Sequence, residues 1–224
     1  LAVAWWGVAL EGMSEPVLYS FRRCPYAMRA RLAIASAGLR PEHREIVLRD
    51  KAPEILAASP KGTVPVLVVG DLAIEESLDV MRWALAQNDP ENLLTCPAYG
   101  VELIEHCDGP FKTALDRTKY VSRYGTDPEA ERAKAQPFLD LLGARLDESP
   151  YLCGSDITLA DLAIFPFIRQ FAHIDRARFD MDAPESLRKW LDQFLASERF
   201  ASIMNKYRKW HAGDPLLWFG DVQA

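Results

Sequence analysis

Cys24, followed at once by Pro25 in the stretch YSFRRCPYAMRARLAI (19–34), is the group in this chain best suited to covalent chemistry. The run before it, VLYSF (17–21), is apolar and strand-like, and the run after it carries Ala30, Ala33, Ile34 and Ala37 at helical spacing. Pro25 fits the first position of that helix, where a missing N–H costs nothing. A cysteine at such a start meets the positive end of the helix dipole and several unsatisfied N–H groups. Both favour thiolate over thiol and make the sulfur a nucleophile. Position 27 is Ala27, so the motif holds no second cysteine, and the chemistry expected is that of a monothiol. Arg22 and Arg23 flank the thiol, either as a cationic environment for an anionic peptide or as a solvated pair.

Three further cysteines, Cys96, Cys107 and Cys153, lack the proline and helix-start signature and read as small packing residues. No CxxC pair is present, and the histidines at 43, 106, 173 and 211 are scattered, so no metal site is expected. Sparse, unpaired cysteines fit a reducing compartment, and the reading is cytoplasmic.

The elements that must position Cys24 follow from the pattern on either side. EHREIVL (42–48) alternates as a second strand, APEILAA (52–58) is a short helix, and VPVLVV (64–69) is apolar enough for a central strand. LAI makes a brief fourth strand, and EESLDVMRWALAQ (75–87) is an amphipathic helix. The order is βαβαββα. On the first helix the small residues form the packing face, which leaves Arg29 and Arg31 elsewhere.

NDPENLLTCP (88–97) is a polar, proline-bracketed linker, after which helical periodicity runs to the end of the chain. Helices are expected within 98–124, 128–147, 158–173, 184–195 and 197–209, with Pro137 and Pro166 kinking theirs. Thr158 and Asp161 have the spacing of a capping box at the start of one of them. The domains expected are 14–87 and 98–224, with residues 1–13 as an extension, a tag remnant or upstream translation, outside the fold.

The totals agree with two modest domains: 224 residues, 49% of them apolar. The balance of 32 acidic against 26 basic residues, with no basic block, argues against nucleic acid and anionic membrane as partners. The opening LAVAWWGVALEGM is shorter than the ~20 apolar residues of a membrane span and has no basic n-region.

The βαβαββα order, with CPYA at the first helix, TVP before the third strand, ES at the third helix and TLAD in an all-helical second half, resembles the cytosolic glutathione transferase superfamily. The resemblance spans about residues 16–210, and CPYA is most similar to the omega-like, cysteine-type members. It implies an α/β thioredoxin-like N-terminal domain plus an all-α C-terminal helical domain, glutathione as co-substrate with no prosthetic group, and a homodimer.

The resemblance further implies that Cys24 is catalytic, forming a mixed disulfide with glutathione, and that dehydroascorbate or small disulfides serve as acceptors. Glutathione contacts fall on Cys24, Pro25 and Tyr26, on Val64 and Pro65 as the family's X-cis-Pro, on Glu76 and Ser77 for the γ-glutamyl group, and on Lys51 for the glycine carboxylate. One inserted residue after Lys51 leaves its alignment open by a position. An acceptor pocket between the domains would draw on Phe21, Phe111, Leu115 and Tyr120. Two other readings stay open: a transferase conjugating glutathione to electrophiles, with Ser20 or Tyr19 meeting the glutathione sulfur, and a non-catalytic, partner-binding member of the fold.

Overall fold

The computed structural model describes residues 15–221, and the extension expected over 1–13 lies outside them. The chain divides into two compact units: one comprises the residues up to Glu91 together with the segment from Glu198 onward, and the other runs from Asn92 to Ser197. The boundary falls inside the expected linker. The final segment, expected in the helical domain, instead belongs to the first unit.

The first unit carries β1 (Val17–Ser20), α1 (Pro25–Ser36), β2 (Glu42–Glu45), α2 (Pro53–Ala58), β3 (Val66–Val69), β4 (Leu72–Ile74) and α3 (Ser77–Gln87), the βαβαββα order expected. The strands lie side by side as β2-β1-β3-β4, with β1 parallel to β2 and antiparallel to β3, and β4 antiparallel to β3. Central placement explains why β1 and β3 are so apolar: each is hydrogen-bonded on both edges. α1 packs on α3, and its Ala27, Ala30 and Ala33 are wholly buried, Ala27 against Tyr19, Ile46 and Val66 of the sheet side.

β2 would be an open edge, and the final segment covers it. α11 (Glu198–Ser202) is a single short turn, after which the backbone is irregular. His43 N–H donates to Leu217 O at 2.7 Å, Trp210 N–H to Glu45 O at 2.9 Å and Phe219 N–H to Pro41 O at 2.9 Å. Tyr207 lies on the His43 ring with centroids 4.0 Å apart. The helix expected over 197–209 therefore stops at Ser202. Pairing with the sheet edge and burial of Trp210 and Phe219 outweigh local helical periodicity.

The second unit is helical: α4 (Ala98–His106), a π-helical turn (Cys107–Phe111), α5 (Lys112–Lys119), α6 (Val121–Tyr124), α7 (Pro128–Glu148), α8 (Leu159–Ala172), α9 (Arg176–Asp182) and α10 (Glu185–Ala196). Pro137 and Pro166 each sit within one assigned helix, and α9, capped by Asp175, was not expected. Phe111 packs against Phe138 and Phe171 with ring centroids 5.0 and 5.4 Å away, and α8 supplies Phe165 to Trp190 and Phe194. Among the described residues no helix is long and apolar enough to cross a membrane.

Candidate active site

β1 delivers the chain to a turn at 21–24, and Cys24 stands at the boundary of α1 in an extended conformation (φ −74°, ψ 124°) with Pro25 next. Its N–H donates to Phe21 O at 3.0 Å, and its carbonyl accepts the first helical bond, from Met28 N–H at 2.8 Å. The Sγ–H points across to Val64 O at 3.6 Å. Val64 and Pro65 are joined by a cis peptide bond. The sulfur is half-buried among Tyr19, Ala27, Ile46, Ile55 and Val64, with Phe21 beside it.

The turn that carries Cys24 is held from below by Arg31. The guanidinium is wholly buried; Nη1 donates to Ser20 Oγ at 2.6 Å and to Phe21 O at 3.3 Å, and Nη2 donates to Arg22 O at 2.7 Å. Glu45 completes the clamp by accepting the Arg22 N–H on Oε1 at 2.6 Å, while its Oε2 lies 3.2 Å from His43 Nε2. Burial drags Arg31 down to about 10, against the opposing pull of Glu45 and of the Cys24 sulfur. At neutral pH it is still a cation, and negative charge on Cys24 and the Arg31 guanidinium stabilise one another. Burial pushes His43 below its ordinary value, so it sits neutral beside this ion pair.

Arg29 and Arg31, expected away from the small-residue packing face of α1, are 3% and 1% exposed. Nothing in the helical spacing marks them, because their partners come from the turn and from α3. Arginine contacts also occupy the Ser20 and Tyr19 hydroxyls, the two groups named for the glutathione sulfur in the conjugating reading. Ser20 is 0% exposed and spends its oxygen on Arg31. Tyr19 is buried, its hydroxyl accepting from Arg44 Nη1 at 2.6 Å, and burial raises the phenol.

Two further segments of the first unit carry polar groups. Lys51 precedes α2, and a Cβ added at Gly62 (φ +56°) would fall 3.1 Å from Lys51 Nζ, so the amine lies on the loop leading to Val64. At the start of α3, Glu76 is extended and exposed, and Lys61 Nζ donates to its Oε1 at 2.8 Å. Lys61 carried no sequence signal of its own; only the pairing with Glu76 marks it. Ser77 is buried and accepts from Arg29 Nε at 2.9 Å, and the Arg29 guanidinium lies 5.1 Å from the centre of the Tyr26 ring. The Ser59 hydroxyl donates to Glu75 and ties the α2–β3 loop to the approach of α3.

The first unit thus carries one cysteine sulfur at a helix start, a second helix start with a carboxylate, and two amines on loops. These groups match a small zwitterionic thiol peptide in charge. Of the expected acceptor-pocket residues, Phe21 lies beside Cys24, with the Arg23 guanidinium 5.6 Å over its ring. Phe111 and Leu115 are wholly buried in the core of the helical unit and present no surface to a ligand, a correction that follows from the aromatic packing around Phe111. Tyr120, at the end of α5, is exposed.

A domain model described as "Glutathione S-transferase, N-terminal domain" matches residues 18–92, and one described as "Glutathione S-transferase, C-terminal domain" matches residues 113–193. Glutathione S-transferase 4 of Zea mays is 28% identical over 229 residues, covering 91% of this chain and 98% of its own. A glutathione transferase family member from Pseudomonas fluorescens pf-5, solved with two glutathione bound, superposes with a TM-score of 0.73 at 19% identity, over 85% of this chain and 92% of that one. Glutathione transferase Omega 3C from Trametes versicolor superposes with a TM-score of 0.72 at 22% identity, over 87% and 91%. At such identities the two structures carry the fold alone.

Proposed function

Since this chain belongs to the glutathione S-transferase family, we propose that it is a glutathione-dependent thiol transferase working through Cys24 as a monothiol. The observation that carries this reading is the contrast at the end of β1: Ser20 and Tyr19 are buried with their oxygens engaged by Arg31 and Arg44, whereas Cys24 is only partly buried, at the start of α1. In this reading glutathione's γ-glutamyl carboxylate docks on the α3 N-terminus at Ser77 with its ammonium toward Glu76. Its cysteinyl backbone lies along Val64 and Pro65, beside Pro25 and Tyr26, and its glycine carboxylate faces Lys51.

The reaction proceeds in two displacements. The Cys24 thiolate attacks the glutathione sulfur of a mixed disulfide; that S–S bond breaks, and the substrate thiolate leaves and takes a proton from solvent. A second glutathione thiolate then attacks the Cys24–glutathione disulfide, releasing Cys24 as thiolate and glutathione disulfide as product. One mixed disulfide and one glutathione become one thiol and one glutathione disulfide. Ala27 leaves no neighbouring sulfur in the motif to intervene.

The test uses Cys24→Ser with a mixed disulfide of glutathione and a small thiol as substrate. Transfer should fall by at least about 100-fold while glutathione binding, measured by calorimetry, changes only several-fold. In the wild type, mass spectrometry should find a reducible glutathione adduct on Cys24. Transfer that survives the substitution would overturn the mechanism. Conjugation of glutathione to an aryl halide, unchanged in Cys24→Ser and with no transfer in the wild type, would assign the conjugating activity instead, and failure to bind glutathione would assign the partner-binding one.

A further inference from the structure

We infer that Cys96 and Cys153 form a second thiol site, a redox-active dithiol that small disulfides such as glutathione disulfide close into a reversible disulfide within the helical unit. The two residues are far apart in sequence, and each is fastened separately to the start of α8. Leu159 N–H donates to Leu93 O at 2.8 Å and fixes the strand of chain that leads to Cys96. Cys153 sits in a tight turn closed by paired Tyr151 and Gly154 backbone bonds of 3.2 and 3.3 Å, and Leu152 N–H donates to Asp161 Oδ1 at 3.0 Å.

The two sulfurs converge on the space left by one glycine. A Cβ at Gly100 would lie 2.6 Å from Cys96 Sγ and 2.6 Å from Cys153 Sγ, so the sulfurs are no more than twice that distance apart. The Cys96 Sγ–H donates to Pro97 O at 3.8 Å. The start of the 14-residue helix α8 adjoins the pair, with Ala160 Cβ 3.6 Å from the same Gly100 position, and the Thr158 hydroxyl there donates to Asp161 Oδ2 at 3.1 Å. The charged group facing the pair is Asp161, which opposes a thiolate. The neighbouring Cys153 thiol, with Ala160 and Thr158 of the α8 start adding to it, lowers Cys96 to about 7, while its closeness to Cys96 pushes Cys153 up. Both residues are half-buried, unlike Cys107, which is wholly buried.

The division of labour follows. The Cys96 thiolate attacks one sulfur of glutathione disulfide, the S–S bond breaks, and one glutathione leaves as thiolate and takes up the proton that Cys153 gives up. The Cys153 sulfur then attacks Cys96 in the mixed disulfide and expels the second glutathione. Two protein thiols lose two electrons, one glutathione disulfide gains them, and excess glutathione reverses the exchange. The closed form links the start of α4 to the turn before α8, constraining the unfolded chain across the intervening helices.

The experiment is done on the full chain carrying Cys24→Ser, so that its outcome is separate from the Cys24 mechanism. Treated with glutathione disulfide, this protein should lose about two mass units, yield a reducible peptide joining Cys96 to Cys153, and unfold at a higher temperature than before treatment. Adding Cys153→Ser should trap a glutathione adduct on Cys96, whereas adding Cys96→Ser should slow modification of Cys153 by at least about tenfold. A stable glutathione adduct on either cysteine with both present, or no reaction of the pair, would overturn the inference. Neither depends on how the extra substitutions fold.

Discussion

Arg31 is the residue on which the geometry around Cys24 most depends. A guanidinium can fork between Ser20 Oγ and the carbonyls of Phe21 and Arg22 at once, and an ammonium cannot. Its charge is balanced by Glu45 from the parallel strand β2. Replacing Arg31 by Met would strand Glu45 and three acceptors without their cation, and the expected loss of stability is about 3–5 kcal/mol, read as a lower urea midpoint. Arg31→Lys should fall between Met and wild type; a Met variant as stable as wild type would refute the clamp. Cys24 itself was legible from residue types alone, since a helix start acts on whatever side chain stands there. The clamp was not, because its acceptors are backbone oxygens and a carboxylate from other elements.

At the scale of elements, the start of α8 shows how far local chemistry reaches. The spacing of Thr158 and Asp161 announced a capping box, and the structure has both halves of it. Thr158 N–H donates to Asp161 Oδ2 at 3.0 Å. The spacing did not reveal that Asp161, 0% exposed, also accepts from Leu152 N–H at 3.0 Å and from Trp190 Nε1 at 3.2 Å. Asp161 is thus a junction between α8, the Cys153 turn and α10. Asp161→Ala should cost about 3 kcal/mol, the loss of a cap plus two buried donors left without acceptors, against about 1 kcal/mol for Thr158→Ala. Equal thermal shifts for the two variants would show that Asp161 is only a cap. α9 escaped notice for the opposite reason: its seven residues are too few to display a period.

At the scale of the whole molecule, the final segment ties the end of the chain to the edge of the first sheet, and His43 lies under it. Tyr207 and Phe219 cover the ring, Glu45 bonds it and Arg31 repels a proton on it. Burial lowers His43 in the folded state, whereas the unfolded chain takes up that proton near about 6.5. Stability from this group is therefore complete above about 6.5 and is lost as pH falls through the lowered folded value, by up to about 1.4 kcal/mol per pH unit. The urea midpoint of the wild type should fall over this window, and the amide protection factors at Trp210 and Phe219, corrected for the intrinsic rate at each pH, should fall with it. His43→Gln should flatten both responses, and an unchanged slope in that variant would assign the acid sensitivity to other groups. Nearest-neighbour chemistry sufficed for the Cys24-Pro25 helix start, the βαβαββα order, the α8 cap and the division into sheet and helical parts, because each rests on groups within a few residues. Long-range packing settled the rest: the burial of Arg29 and Arg31, the path of the final segment along β2, the retreat of Phe111 and Leu115 into a core, and the meeting of Cys96 with Cys153. Each of these depends on partners from a different element, and those come together only when the chain folds.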